Sequence, residues 1–265
     1  MIRLLTVLTL LTLSLQATSM SAKYDVTFGF FGKIGEADMS YKNDSTKYKI
    51  KIDVRLSEGF INSLANDRKE SLTSTGVVKN GVLVPMKYLI ERSWNDKNTS
   101  SLFIFNHKEH YVNEHRAETK VVTQNHVDIM SLSIVPETKV EKSSSITKLP
   151  FYASNDFQSL MFNLKTFLKS VPVGDRKETR VIGSNNNEGK ILILHKKITQ
   201  ADRELFHEKL STLVGVVINQ DIFAKDSTGE LLVNFDKNEY IQEAILKDIL
   251  MFGDVKLTRK SIKEN

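Results

Sequence analysis

Between Thr46 and Leu56 the apolar residues Tyr48, Ile50, Ile52, Val54 and Leu56 alternate with Lys47, Lys49, Lys51, Asp53 and Arg55. A period of two with one greasy and one charged side is the signature of an antiparallel strand half in water. The same rhythm places Tyr24, Val26, Phe28 and Phe30 on one side of an earlier strand, and resumes at Ala37, Met39 and Tyr41 after a bend at Gly32 and Gly35. Val77 to Tyr88 reads as a hairpin, because Asn80-Gly81 supplies the positive φ angles of a two-residue turn. Pro85 then calls for an edge or a bulge. Further strands are expected at Ser100–Phe105, His110–Val122, Val127–Val135, Arg176–Gly183, Lys190–Ile198, Val216–Ile222, Glu230–Phe235 and Tyr240–Phe252. The stretch from Pro136 to Pro150 is polar and without period, and predicts a flexible surface loop.

A helical period appears in few places. After Ser154-Asn155-Asp156, which can cap a helix, Phe157, Leu160, Met161, Leu164, Phe167, Leu168 and Val171 form one stripe that Pro172 and Gly174 end. A second helix is expected over Ala201–Leu213, and a short third over Glu58–Ala65. The pattern predicts an α+β, mainly antiparallel β protein: one large curved sheet or incomplete β-barrel wrapped around two or three helices. It forms a single β-rich domain over residues 23–265, with the loop at about 136–150.

The first 22 residues alter the picture. A single positive charge, Arg3, precedes an uncharged run from Leu4 to Leu15 and then the small residues Ala17, Ser19, Ser21 and Ala22. This is the layout of a secretory signal peptide: the uncharged stretch barely reaches the roughly 20 residues of a spanning helix, and its second half is rich in Ser, Thr and Gln. Cleavage can follow Ser19, Ser21 or Ala22, although Met20 is bulky for the position three before the last of these. No transmembrane segment is expected in the mature chain.

Composition narrows the chemistry. With no cysteine among 265 residues, disulfides, thiolate nucleophiles, Cys-ligated metals and a lipidated N-terminal cysteine are excluded. The net charge of +5 is spread without a basic run, so the surface reads as solvated and nucleic acid is not an expected partner. Neither a Walker phosphate loop nor a Gly-x-Gly-x-x-Gly fingerprint nor a Gly-x-Ser-x-Gly elbow occurs, and no cofactor is expected.

Three stretches taken in order resemble the exported domain-of-unknown-function family numbered 3108. They are YDVTFGFFGKIGEADMSY (24–41), GVVKNGVLVPMKYLIER (76–92), and NDFQSLMFNL (155–164) with VPVGD (171–175). GELLVNFDKNEYIQEAILKDILMFGDVKL (229–257) is similar to the closing strands of that family. The resemblance implies a periplasmic, mainly β protein without an established activity, and brings no catalytic residues. A looser architectural likeness links it to lipoprotein-carrier half-barrels, in which a curved sheet encloses an apolar cavity.

The candidate chemistry is weak. His107, His110, His115 and His126 lie close together, but His110 and His115 fall on opposite faces of one strand, and no metal site is assigned. Asp67 with Glu70, or Asp156 with Asp175, are the carboxylates a hydrolase would use, yet Asp156 suits a helix cap and Asp175 a turn. The expected function is therefore non-catalytic, with enzymatic activity left open. We expect a periplasmic binding or carrier protein of the cell envelope that holds a lipid, a lipoprotein acyl chain or an envelope glycan. Phe28, Phe30, Met39, Phe157, Leu160, Met161 and Leu164 are the candidate groove. The alternative is an adaptor that docks another envelope protein through a sheet edge, with Pro85 and Lys47 to Lys51 as edge features.

Overall fold

The computed structural model describes residues 18–56, 69–94, 96–128, 133–183, 188–206, 210, 212–218, 230–247 and 253–264, with side chains described for all of these except 124–137. The expected helix at Glu58–Ala65 lies outside them, as does most of the segment after Phe206 in the second expected helix.

Strands β1 (Thr18–Phe28), β2 (Gly32–Asn43), β3 (Lys47–Leu56), β4 (Lys69–Lys79), β5 (Val82–Trp94), β6 (Lys97–Asn106), β7 (Tyr111–Asp128) and β8 (Ser133–Lys148) follow one another as an antiparallel meander. The chain continues through β9 (Asn155–Asp156), α1 (Phe157–Leu168), β10 (Arg176–Ile182), β11 (Lys190–His195), α2 (Gln200–Leu205), β12 (Thr212–Ile218), β13 (Glu230–Phe235), β14 (Ile241–Leu246) and β15 (Val255–Glu264). All fifteen strands belong to one sheet, in the order β8-β7-β6-β5-β4-β3-β2-β1-β15-β14-β13-β12-β11-β10-β9. The first and last strands are thus neighbours in its middle. Every pairing is antiparallel except β9 with β10. The sheet is large, open and curved, and β9 at its far end also contacts β5.

The local chemistry explains most of these elements. Asn80 and Gly81 both have positive φ, 52° and 76°, which is the two-residue turn that joins β4 to β5. At Gly76 the β4–β5 register slips opposite Pro85, so the proline sits at a bulge. Asp156 caps α1: its side chain accepts from the Ser159 amide while the Ser159 hydroxyl bonds the Asp156 amide.

Several expectations are corrected. Residues 133–148, for the most part expected as a loop, are strand β8, paired with β7 from Asn113–Lys148 to Asp128–Ser133. Along its described side chains, from Thr138 to Lys148, both faces are exposed, so no period of two was available to read. The strand expected over Val127–Val135 divides between β7 and β8. The second helix ends at Leu205, and Leu213 belongs to β12. No strand was expected in the last ten residues, where β15 carries Lys256, Arg259, Lys260, Lys263 and Glu264 and has a shifted register against β1 at Lys23/Tyr24. Lys47 to Lys51 lie on β3, between β2 and β4, and not at an edge.

The two helices occupy opposite faces. Leu160, Met161, Leu164 and Leu168 of α1 share a core with Val214, Val216, Val233, Phe235 and Ala244. Phe206, at the end of α2, clusters instead with Leu213, Leu232 and Ile245, the alternating positions of the same strands. A sheet wrapped around two or three helices, as expected from the sequence, would hold them on one face.

Candidate functional site

α1 is fixed to the first half of the sheet by buried polar groups. The Tyr48 hydroxyl lies 2.9 Å from Ser74 Oγ, which donates to Asp156 Oδ2 at 2.5 Å. With the serine proton committed to the carboxylate, Tyr48 is the donor of the first bond. Burial raises the Asp156 carboxyl to about 6 against the pull of these donors, and raises the Tyr48 and Tyr88 hydroxyls as well. About two turns after Asp156, Asn163 accepts from the Leu83 amide at 2.9 Å and donates to its carbonyl at 2.8 Å, while Gln158 Nε2 donates to the Leu72 carbonyl at 3.1 Å. Phe162 packs at a tilt against Tyr41 of β2, with ring centroids 4.7 Å apart.

The residues singled out as a groove are divided between two buried clusters and an exposed turn. Phe28 and Met39 are buried in the cluster that joins β1 and β2, and Leu160, Met161 and Leu164 in the cluster beneath α1. Leu160 and Leu164 are each only 1% exposed, so they fill a core. Phe157 packs partly buried against the same core. Phe30 is 79% exposed: Gly29, at a φ of 45°, opens a three-residue turn that breaks the alternation and carries the ring outward against Phe31. Met161 does border a cavity of about 230 Å³ with Phe162, Leu168 and Phe235, whose lining also holds the Lys165–Glu239 ion pair.

A larger cleft, about 480 Å³, opens on the face that carries α1. Registers build it in rows across β5, β6 and β7. Tyr88, Phe103 and Glu114 stand side by side, then Ile90, Ser101 and Arg116, then Arg92 and Thr99. Each row thus carries one charged side chain, Glu114, Arg116 and Arg92 in turn, beside apolar Phe103 and Ile90. Its other wall is Leu149, Pro150 and Phe151 from the β8–β9 connection, with Val181 and Ile182 of β10. Phe151 can reach this position because Gly189 has no side chain; a Cβ there would overlap the ring. Glu114 accepts from Ser101 Oγ at 2.8 Å and Glu70 pairs with Arg92 at 3.0 Å. Arg116, with a side chain 57% exposed, is 3.9 Å from Glu118. Half-apolar enclosure with a few oriented polar groups is the general form of a small-molecule site. The alternation Tyr88-Ile90-Arg92 was the available signal, and it runs beyond the hairpin expected at Val77 to Tyr88.

The histidines are engaged elsewhere. His107 Nδ1 lies 2.7 Å from the Tyr152 hydroxyl and Nε2 lies 2.5 Å from the Pro85 carbonyl. A carbonyl cannot donate, so Nε2 carries the proton and Nδ1 accepts from Tyr152. Neither nitrogen is left for a metal. His110 stands edge-on to Tyr152, His115 lies on β7 opposite Ile146, and the His126 side chain lies outside those described. Among the described residues no group of three or more His, Asp or Glu could hold a metal ion. Of the nominated carboxylates, Asp156 is buried as the α1 cap, Asp175 is exposed in a turn, Glu70 pairs with Arg92, and Asp67 lies outside the described residues.

A family model for proteins of unknown function, DUF3108, matches residues 23–192. The chain belongs to the DUF3108 family. No curated protein matches it. Among solved structures, a beta-barrel-like protein of the DUF1849 domain of unknown function from Brucella abortus is similar, at 10% identity and a TM-score of 0.47, over 94% of this chain and 98% of that one. Among the described residues of this DUF3108 protein no helix is long and apolar enough to cross a membrane.

Proposed function

We propose that this DUF3108 protein is a non-catalytic binding or carrier protein of the periplasm, exported by its first residues. Its ligand is an amphipathic envelope molecule, an acyl chain with a polar head, held in the cleft of β5, β6, β7 and β10. In this reading the sheet is an incomplete barrel around α1, whose side chains meet β2, β4 and β5 in one direction and β10 to β14 in the other. The observation that carries the proposal is the mixed lining of the cleft: Ile90, Phe103, Phe151 and Ile182 offer apolar surface, and Arg92 and Arg116 offer positive charge for a polar head. Native mass spectrometry of the protein recovered from the periplasm, with solvent extraction and lipid analysis, tests it. A bound amphiphile of fixed stoichiometry, lost on Ser101→Trp, supports the reading; a protein that is free of ligand and takes up no acyl probe refutes it.

A second reading is favoured by β8. It ends the sheet, both its described faces are in water, and Val140 and Ile146 are 58% and 70% exposed. Such an edge can accept a strand from another envelope protein. Crosslinking in intact cells from positions on β8, yielding one protein partner and no lipid, would favour the adaptor.

A further inference from the structure

A leader that ended at Ala22 would carry away part of the sheet. β1 begins at Thr18 and lies in the middle of the molecule, between β2 and β15. On one side Met20, Ser21 and Ala22 pair with Tyr41, Ser40 and Met39; on the other they pair with Glu264, Lys263 and Ile262. Met20 and Ala22 are 3% and 2% exposed and belong to the core that joins the two halves. Removing them would leave a slot bordered by unpaired backbone on both sides, and buried main-chain groups without partners are costly.

We propose that the leader is cut between Ser19 and Met20, so that the mature chain begins at Met20. The inference rests on the export reading above. Two independent observations meet at this bond. In sequence, Ala17 and Ser19 place small residues three before and one before the cut, which is the pattern leader peptidases read, whereas a cut after Ala22 puts Met20 in the first of those places. A cut after Ser21 also satisfies the small-residue pattern, with Ser19 and Ser21, and here the structure decides: it would remove buried Met20. In the structure, Thr18 is exposed and Ser19 half-buried, so their loss uncovers little. The new terminus at Met20 keeps its place opposite Glu264 in the β1–β15 register.

The test is to produce the full chain in a Gram-negative host, recover it from the periplasm, and read the N-terminus by intact mass and terminal sequencing. The wild-type chain should begin at Met20. Ser19→Leu, which blocks the residue before the cut, should accumulate as uncut precursor, and Ser21→Leu, at an exposed position, should still begin at Met20. A wild-type start at Ala22 or Lys23, or loss of processing in Ser21→Leu alone, would overturn the assignment while export stands. A wild-type chain that stays uncut in the cytoplasm would overturn the export reading and the assignment together. None of these readouts depends on whether a variant folds well.

Discussion

Asn163 pairs with Leu83 as a neighbouring strand would: its amide oxygen accepts from the Leu83 N–H and its amide nitrogen donates to the Leu83 carbonyl. The reason lies one strand away. β6 pairs with β5 only from Lys87 to Trp94, so residues before Lys87 have no strand on that side. Asn163 from α1 satisfies Leu83, and His107 satisfies the carbonyl of Pro85.

Asn163→Ala should leave both main-chain groups of buried Leu83 unpaired, at a cost of about 2–4 kcal/mol. Asn163→Asp keeps the acceptor and loses the donor, so it should fall between the two. Urea unfolding followed by tryptophan fluorescence checks the order, and equal stabilities for the three chains would show that α1 is not held by this pair.

The Asp156 carboxyl titrates at about 6 in the folded chain against an ordinary value of 3.8, because burial disfavours its charge. The native state therefore binds the proton more tightly than the unfolded one. The stability this group contributes is fully present below about pH 4 and is lost as pH rises through about 6. Asp156→Asn, which preserves an N-cap acceptor, should remove that slope, a difference on the order of 3 kcal/mol between the two limits. Melting wild type and variant across pH 4 to 7 isolates the difference from every other titrating group. Parallel curves would contradict it.

In the cleft, Arg116 is the most exposed of the polar lining side chains and its ion pair is long, so Arg116→Glu should change stability by less than about 0.5 kcal/mol. Under the carrier reading the same variant should weaken binding of an anionic acyl probe several-fold while a neutral probe of equal length is held as before. Fluorescence titration with both probes provides the comparison.

Gly76 stands where a Cβ would overlap the Val84 carbonyl and crowd Pro85 and the Tyr48 ring. Its need is for space, since its φ is not positive. Gly76→Ala should cost at least about 2 kcal/mol by forcing the bulge open against Tyr48 and the Ser74–Asp156 pair. Gly81→Ala, with open space but a φ of 76°, should cost about 1 kcal/mol. Thermal melts of the two variants distinguish crowding from backbone strain.

The strands that the sequence made legible are those with one wet and one dry face. β3 shows its alternation because lysines occupy the outer positions while Tyr48 and Ile50 are buried, and the β4–β5 turn is written in Asn80-Gly81. The helix cap at Asp156 and the bulge at Pro85 were equally local. β8 was hidden because it buries neither described face, and β15 because charge and a register slip blur its period. The cleft was hidden for a different reason: its floor is made by neighbours in register across three strands, and pairing distant segments is information a single strand does not carry. The stripe on α1 was correctly seen as apolar, but apolarity alone does not distinguish a filled core from an open groove.

The place of β1 between β2 and β15 also governs the timing of folding. The meander from β1 to β8 can form from local hairpins as soon as it is made, but its inner edge stays open until the last residues of the chain are available. Closing that seam joins the most distant segments of the sequence, the slowest class of contact to form. The chain should therefore spend a measurable interval after synthesis as two unjoined halves with β1 exposed, a state vulnerable to pairing with the wrong strand.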